Sequence, residues 1–315
     1  MIIELLTPDA SAWDAATVVV RASYYAASLG AGGVALFHAG FAHRLLEEDA
    51  RAVRRLAAGL AIAAILLSLV ALVVRAGVLS GGGDLLAARL WEAILASRIG
   101  DAFWIGLAGL AAIALLATSF PIAPHLAVAG AFAVCESYAA MGHSMLYRPR
   151  QEIAALLVLH LACVSFWVGS LLPLTRLARG RDLEAPAILA SWSRLARPIV
   201  LVLVASGITL AVLMVRRLDL LYATAYGWGL TVKILLVAVM LALAARHAFV
   251  LVPAAARGER GAGERLARSI RLEAGVGAPC VLGGGRGGLD PPARCRAPYS
   301  ELSLPGAEPR PITRA

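Results

Sequence analysis

The stretch LAAGLAIAAILLSLVALVV, residues 56–74, decides the fold because it contains neither a charged residue nor a proline. An α-helix rises about 1.5 Å per residue, and the hydrocarbon core of a bilayer is about 30 Å thick. An apolar run of about 18 residues or more is therefore long enough to cross a membrane as one helix. A helix also satisfies its own backbone hydrogen bonds, as the bilayer requires. The stretch predicts a transmembrane helix.

Apolar runs of this kind recur along the chain of 315 residues, of which 60% are hydrophobic and 16% are charged. The mean hydropathy is +0.78, and the apolar share exceeds the roughly 45–50% that is typical of soluble domains. The pattern predicts an all-α, polytopic membrane helical bundle with about seven transmembrane helices. The predicted spans are residues 17–42, 56–79, 102–119, 124–142, 153–175, 198–215 and 228–252.

Two shorter stretches add detail to this bundle. LLAARLWEAILASRIG, residues 85–100, mixes apolar and charged residues at helical spacing and predicts an amphipathic interfacial helix, with a plain loop as the alternative. GAGG, residues 30–33, lies within the first span and predicts close packing of that helix against another.

Arginine provides almost all of the basic charge, and its distribution predicts the orientation of the spans. The formal net charge is +9, but the arginines lie between the apolar runs, where they set topology rather than bind nucleic acid. The connections after spans one, five and seven are rich in arginine, whereas each intervening connection holds two basic residues. The arginine-rich connections are expected to face the cytoplasm, so the N-terminus faces outward.

The sequence carries no catalytic signature of a soluble enzyme. It contains no G-x-x-x-x-G-K-[ST], no G-x-S-x-G and no H-E-x-x-H motif. The four cysteines include no C-x-x-C pair and predict neither a disulfide framework nor a zinc site. We therefore expect a membrane protein that is not an enzyme.

The C-terminal stretch departs from the apolar pattern. From residue 276 to the end it contains 7 of the 15 prolines, a composition typical of disorder. The predicted organisation is residues 1–151, with the first four spans, residues 152–275, a second membrane region, and residues 276–315, a tail. The tail is either a disordered segment or the product of a frameshift near Gly277 that replaced an eighth span.

The fourth predicted span carries polar residues that need a reason, because polar groups inside a bilayer are costly. At about 100° per residue, His125, Glu136 and His143 fall within about 20° of one another and line one stripe. Met141 and Met145 flank His143 at its outer end. Thioether sulfur favours Cu(I), and imidazole accepts Cu(I) or Cu(II), so this run predicts a copper site at an outer mouth. An adaptable apolar packing role for the methionines is the alternative.

The fifth span adds His160, with Cys163 and Trp167 on the same helix face. His160 is expected at a depth comparable with the mouth, where it would complete the copper site. The alternative is a buried histidine that donates to a backbone carbonyl. Cys163 is more often a packing residue than a ligand.

Four other histidines lie at the opposite, inner ends of the spans. His38, near the end of the first span, and His125, at the start of the fourth, predict a weaker exit site for the metal. His43 and His247 end the first and seventh spans on the same side, and with His38 and His125 they form a possible second cluster. Each of them alone is typical of an interfacial histidine.

Lys233 lies about five residues inside the seventh span. It is expected to extend outward to the interface or to pair with an acid such as Glu136. If it does not pair, Glu136 stays available as a proton or cation carrier.

Motifs in the second half of the chain resemble those of the copper-resistance D (CopD) membrane-domain family. They are an L-H-L start, a W-x-G-x-L turn, a W-S-R-L junction, a T-x-Y-G entry followed by a lysine, and a closing S-x-R-x-E. A G-H element precedes them, and the resemblance covers about residues 15–275. The matching residues are Gly142, His143, His160, Trp167, Gly169, Trp192, Ser193, Arg194, Thr224, Tyr226, Gly227, Lys233, Ser269, Arg271 and Glu273.

The resemblance implies a multi-pass protein of the bacterial inner membrane with eight helices, whose N-terminus is then periplasmic. It also implies copper uptake, homeostasis or resistance, with the copper ion as transported substrate and a periplasmic copper-carrying partner of the CopC type. The missing eighth span is the departure from the family pattern.

The expected function is a copper permease that moves the ion between two sites. Copper enters at an outer mouth, passes the level of Glu136, and leaves near the inner histidines. A b-type dihaem electron carrier, with histidine pairs sandwiching each haem, and a copper-binding sensor or assembly factor without transport are the alternatives. The predicted ligands are Met141, His143, Met145, His160, His125 and His38, with support from Glu136, Lys233, Cys163 and Trp167.

Overall fold

The computed structural model describes residues 12–81, 83–141, 150–179, 184–214, 225–257, 259 and 261–282. Within these ranges the regular structure is helical throughout, which confirms the all-α bundle. A π-helical segment, His247–Leu251, joins α8 to α9, and short 3₁₀ turns follow α1 and α4. The helices are α1 (Ala12–Phe41), α2 (Glu47–Leu79), α3 (Ala88–Leu95), α4 (Arg98–Ala114), α5 (Ala123–Met141), α6 (Arg150–Arg179), α7 (Ala185–Met214), α8 (Ala225–Arg246), α9 (Val252–Ala256) and α10 (Ala262–Leu282).

Five helical stretches in the described part of the chain are long and apolar enough to cross a membrane. The chain is therefore a multi-pass membrane protein. Helices α1 and α5 coincide with the first and fourth predicted spans but are not among these five, so the count of seven stays a prediction. The five stretches are Glu47–Leu79, Arg98–Ala117, Arg150–Arg179, Ala185–Leu213 and Ile234–Ala254.

Several helices extend beyond the apolar runs that predict them. Helix α2 begins at Glu47 with an acidic first turn, and negative charge is favourable at a helix N-terminus. The Glu47 carboxylate also accepts hydrogen bonds from Arg51 Nε at 3.1 Å and from Arg54 at 3.0 Å. Charged turns of this kind carry a helix past the edge of the apolar run, which hydropathy alone does not show.

A helix forms within the stretch that was predicted to be an interfacial helix, but it is shorter than that stretch. Helix α3 covers Ala88–Leu95 only. The next helix begins immediately afterwards, because the Ser97 hydroxyl accepts a hydrogen bond from Ile99 N at 3.2 Å and caps α4. The last residues of the stretch therefore belong to α4.

The predicted tail boundary falls inside a helix. Helix α10 runs from Ala262 to Leu282, so residues 276–282 continue it rather than begin a separate segment. Residues 283–315 lie outside the described part of the chain, and the nature of the tail stays a prediction.

Helix α1 is the centre of the bundle and packs against α2, α4, α5, α6 and α10. Its closest contact is with α6, where Gly33 and Gly169 bring the two backbones together. A Cβ built on Gly169 would lie 2.6 Å from Gly33 Cα, far inside ordinary contact distance. The Ser165 hydroxyl donates to the Leu29 carbonyl at 2.6 Å across the same crossing. The close packing predicted from GAGG is confirmed.

Candidate functional site

Half of the predicted mouth can be placed in the structure. Met141 ends α5 and is 43% exposed. His143 and Met145 lie outside the described residues, so their ligand role stays a prediction. Within the part of the chain that is described, no three His, Cys, Asp or Glu side chains group closely enough to hold a metal ion.

His160 is half-buried on α6 and faces α7. Its Nδ1 lies 3.1 Å from Ser206 Oγ, and that hydroxyl donates to the Leu203 carbonyl at 3.0 Å. Gly207 makes room for this approach, because a Cβ there would lie 3.1 Å from the ring Cε1. The hydroxyl has one proton, so when Ser206 donates it to Leu203 the ring donates from Nδ1 and its lone pair is on Nε2.

The two membrane cysteines are packing residues of the core. Cys135 on α5 is 1% exposed and Cys163 on α6 is 8% exposed. Both are free thiols within the main apolar cluster of the bundle. This agrees with the expectation that they pack rather than bind metal.

The polar stripe of α5 faces out of the single chain. His125 and Glu136 are both exposed, as are Ala129 and Phe132 between them, so the helical arithmetic that grouped the two polar residues holds. The stripe does not line the interior of the described bundle. The reason lies on the opposite face, where Gly130 packs against α4 so tightly that a Cβ on it would be 3.1 Å from a neighbouring side chain.

The proposed pairing of Glu136 with Lys233 cannot be followed in the structure, because the Lys233 side chain lies outside the described residues. Glu136 forms no ion pair with a side chain that is described.

His38 is the buried histidine of the bundle's central helix. It is 5% exposed near the end of α1, and neither of its ring nitrogens has a hydrogen-bond partner within the described part of the protein. Burying a polar group without a partner costs about 1–3 kcal/mol, and such groups are rare. Its neighbour in sequence, His43, is exposed and follows the helix end. His38 therefore differs from an interfacial histidine in the way that a ligand would.

A second buried polar group joins three elements of the other half of the molecule. Glu273 on α10 is 1% exposed, and its Oε1 accepts a hydrogen bond from Trp167 Nε1 of α6 at 2.8 Å. Its Oε2 lies 2.9 Å from His247 Nδ1 but outside hydrogen-bonding geometry, so that contact is electrostatic. His247 Nε2 lies 2.8 Å from the Ser269 hydroxyl. We call Trp167, Glu273, His247 and Ser269 the buried network.

The buried network corrects one interpretation of the sequence. His247 was expected to be an interfacial histidine, but it is 7% exposed and both ring nitrogens have neighbours. It opens the π-helical segment, whose wider turn changes the direction of the side chains relative to α8. Trp167, which was predicted to support the copper route, donates a hydrogen bond to Glu273, and its support role stays a prediction. The available signal in the sequence was the closing S-x-R-x-E motif, which contains Ser269 and Glu273.

Two family models match the chain, and together they cover most of the residues described above. A model described as Copper resistance protein D-like, N-terminal domain, matches residues 11–148. A model described as Copper resistance protein D matches residues 186–283, which include His247 and Glu273. A search of curated proteins and a search of solved structures each found no match.

Proposed function

The chain belongs to the copper resistance protein D family, and from that premise we propose that it moves copper ions across the bacterial inner membrane. Membership links the protein to copper resistance, and the apolar helices make it a membrane protein. Transport is a more specific proposal than a link to copper resistance. In this proposal the copper ion is the substrate and not a resident cofactor. The N-terminus is periplasmic, and copper arrives there from a carrier of the CopC type.

The observation that carries the proposal is His38. An imidazole whose two nitrogens are buried without a protein partner is in an unfavourable state unless something else binds it. Copper is suited to this role, since imidazole nitrogen binds both Cu(I) and Cu(II). His38 lies inside the bundle on the central helix, and this position supports a role along the path of a transported ion.

His160 supports the same function near the predicted mouth. Its hydrogen bond to Ser206 fixes the orientation of the ring, and metal-binding histidines are commonly held in place by such a bond at their other ring nitrogen. In the proposed route copper enters at Met141, His143, Met145 and His160 and reaches His38. Shallow steps between successive ligands allow the ion to leave each site, as conduction requires.

The exposed positions of His125 and Glu136 restrict this route. Both residues lie on the outer face of α5 rather than in the interior of the described bundle. We propose that they act at the surface of the route, where a second membrane helix would be needed to enclose them. Trp167 and Cys163 support the route by stabilising the packing of the core. We propose that Lys233 pairs with an acid such as Glu136.

The test compares two histidines from the same region of the chain. Replacing His38 by leucine removes the unpartnered nitrogens, so the free energy of unfolding is expected to stay the same or rise by about 1–3 kcal/mol. Copper accumulation by cells is expected to fall at least tenfold. His43→Leu, at an exposed site five residues later, is the matched control and should leave accumulation unchanged.

The proposal is contradicted if the His38→Leu protein is present in the membrane and its cells accumulate as much copper as cells with His43→Leu. The double variant His143→Ala and His160→Ala tests the mouth in the same assay, and unchanged uptake would discard that entrance. A Soret band in the absorbance spectrum of the purified protein would favour the dihaem carrier instead. Copper binding without flux in proteoliposomes would favour the sensor.

A further inference from the structure

We propose that the Glu273–His247 pair is a proton-binding site that couples copper movement to the movement of a proton. The coupling rests on the proposed copper transport, whereas the proton site itself rests on the geometry of the buried network. Neither residue of this pair is among the ligands of the proposed copper route.

The first step is the charge of the pair. Glu273 and His247 are almost completely buried, and neither contacts an arginine or lysine within the described residues. A carboxylate beside a neutral imidazole carries one negative charge, and an isolated buried charge is strongly unfavourable. Uptake of one proton by the Glu273 carboxyl group makes the pair neutral. The protonation state of this pair therefore decides whether the interior of the bundle holds a net charge.

The second step is the geometry, which is not that of a simple structural anchor. A carboxylate that only ties helices together is expected to have both oxygens hydrogen-bonded. Here Trp167 satisfies Oε1, while Oε2 lies near His247 without a hydrogen bond of good geometry. That oxygen is the atom on which a proton can be bound or released. The Ser269 hydroxyl contacts the far nitrogen of the ring and holds it in place.

The third step is the location of the pair at a junction of three helical elements. The network joins α6 and α10 to the π-helical segment that follows α8. π-Helical turns are rare and occur frequently at functional sites. A change of charge at Glu273 therefore acts directly on the packing of three elements. This gives a proton the means to alter the bundle through which copper passes.

No other ionisable side chain that the structure describes on α10, or on the elements packed against it, contacts the pair. The charge of the pair is thus set by its own proton. These side chains are Arg21, Tyr24, Tyr25 and His38 on α1, Arg150, Glu152, His160, Cys163, Arg176 and Arg179 on α6, Arg246 on α8, and Glu264, Arg265, Arg268 and Arg271 on α10.

The experiment uses the full chain in liposomes that contain a pH-sensitive dye, with Cu(I) as the added ion. If one proton is coupled to each copper ion, a pH difference of one unit shifts the steady-state copper ratio about tenfold. Glu273→Gln keeps the shape of the carboxyl group but cannot change its charge, so the shift is expected to disappear. Glu264→Gln, an exposed acid-to-amide change on the same helix, should keep the tenfold shift.

Three results would overturn the inference or separate it from the proposed function. Wild-type protein that moves copper without any response to pH removes the coupling and leaves transport intact. A Glu273→Gln protein with the full wild-type response removes Glu273 from the site. If the wild type moves no copper, transport itself fails.

An infrared titration tests the proton site without requiring transport or a variant that transports. The wild type is expected to show the carbonyl band of a protonated carboxyl group that changes with pH. The band should be missing from Glu273→Gln and present in Glu264→Gln. Wild-type protein without such a band contradicts proton binding at the pair, even if Glu273→Gln does not fold.

Discussion

Replacing Gly33 by alanine is expected to destabilise the bundle through one contact between α1 and α6. The added methyl group would overlap the Ser165 carbonyl oxygen and would lie 2.6 Å from the carbonyl carbon and 2.8 Å from Gly169 Cα. All three atoms belong to the backbone, so no side-chain rotation can relieve the overlap. The two helices must instead separate by about 1 Å to restore normal contact distances.

The size of the effect follows from two terms. Overpacking a core typically costs about 1–3 kcal/mol. Separation of the helices also breaks the 2.6 Å hydrogen bond from the Ser165 hydroxyl to the Leu29 carbonyl, which is worth about 1 kcal/mol. Gly33→Ala is therefore expected to lower the free energy of unfolding by about 2–4 kcal/mol. This figure does not include the stabilisation that alanine gives to a helix relative to glycine.

A glycine without neighbours isolates this effect. Gly59 lies within α2, and a Cβ there meets nothing within 4 Å. Gly59→Ala gains the helix propensity of up to about 1 kcal/mol and no clash. Both variants are unfolded in the same detergent, and circular dichroism gives the free energy of unfolding of each. The gain in helix propensity is common to both, so it cancels in the difference between the two free energies. Equal stabilities of Gly33→Ala and Gly59→Ala would refute the close crossing of α1 and α6.

Three further substitutions are expected to separate buried polar contacts from exposed ones in the same unfolding assay. Trp167→Phe removes the hydrogen bond to the buried Glu273 carboxylate and should cost about 1.5–3 kcal/mol, and a loss below 0.5 kcal/mol, on the same approximate scale, would contradict that bond. Tyr138→Phe removes the 2.5 Å contact with the Ser28 hydroxyl and should cost about 0.5–1.5 kcal/mol; an unchanged stability would show that the contact contributes nothing. Arg176→Gln breaks an exposed ion pair and should cost less than about 1 kcal/mol, and a larger loss would mean that the pair is not screened by solvent.

The apolar runs predicted the helices because the bilayer imposes a length that the sequence shows directly. The run at residues 56–74 lies within α2, and GAGG predicted a close crossing that Gly33 makes with α6. Helix ends were less predictable. Helix α7 begins at Ala185, whereas the predicted span begins at 198, and Pro198 lies inside the helix. A helix in a bundle tolerates proline when its neighbours satisfy the freed backbone group.

The orientation of α5 shows why a polar stripe does not identify its own surroundings. Periodicity grouped His125 with Glu136, and both lie on the same exposed face. The buried face is instead the one with small residues, where Gly109 and Gly130 allow α4 and α5 to approach closely. A Cβ on Gly109 would lie 2.7 Å from the Gly130 carbonyl oxygen. Small residues, rather than polar ones, therefore indicate the face that a membrane helix turns toward its neighbours.

The buried network could not be predicted from spacing, because its members are far apart in sequence and meet only through packing. Trp167 and Glu273 are separated by 106 residues, and the π-helical segment places His247 out of register with α8. Both Trp167 and Glu273 nevertheless fall in motifs that were recognised singly. Since a buried acid needs donors, a tryptophan and a histidine in neighbouring apolar stretches are its natural partners. The contact explains why these residue types occur in those motifs, and it places an ionisable group, Glu273, against the same helix that carries His160.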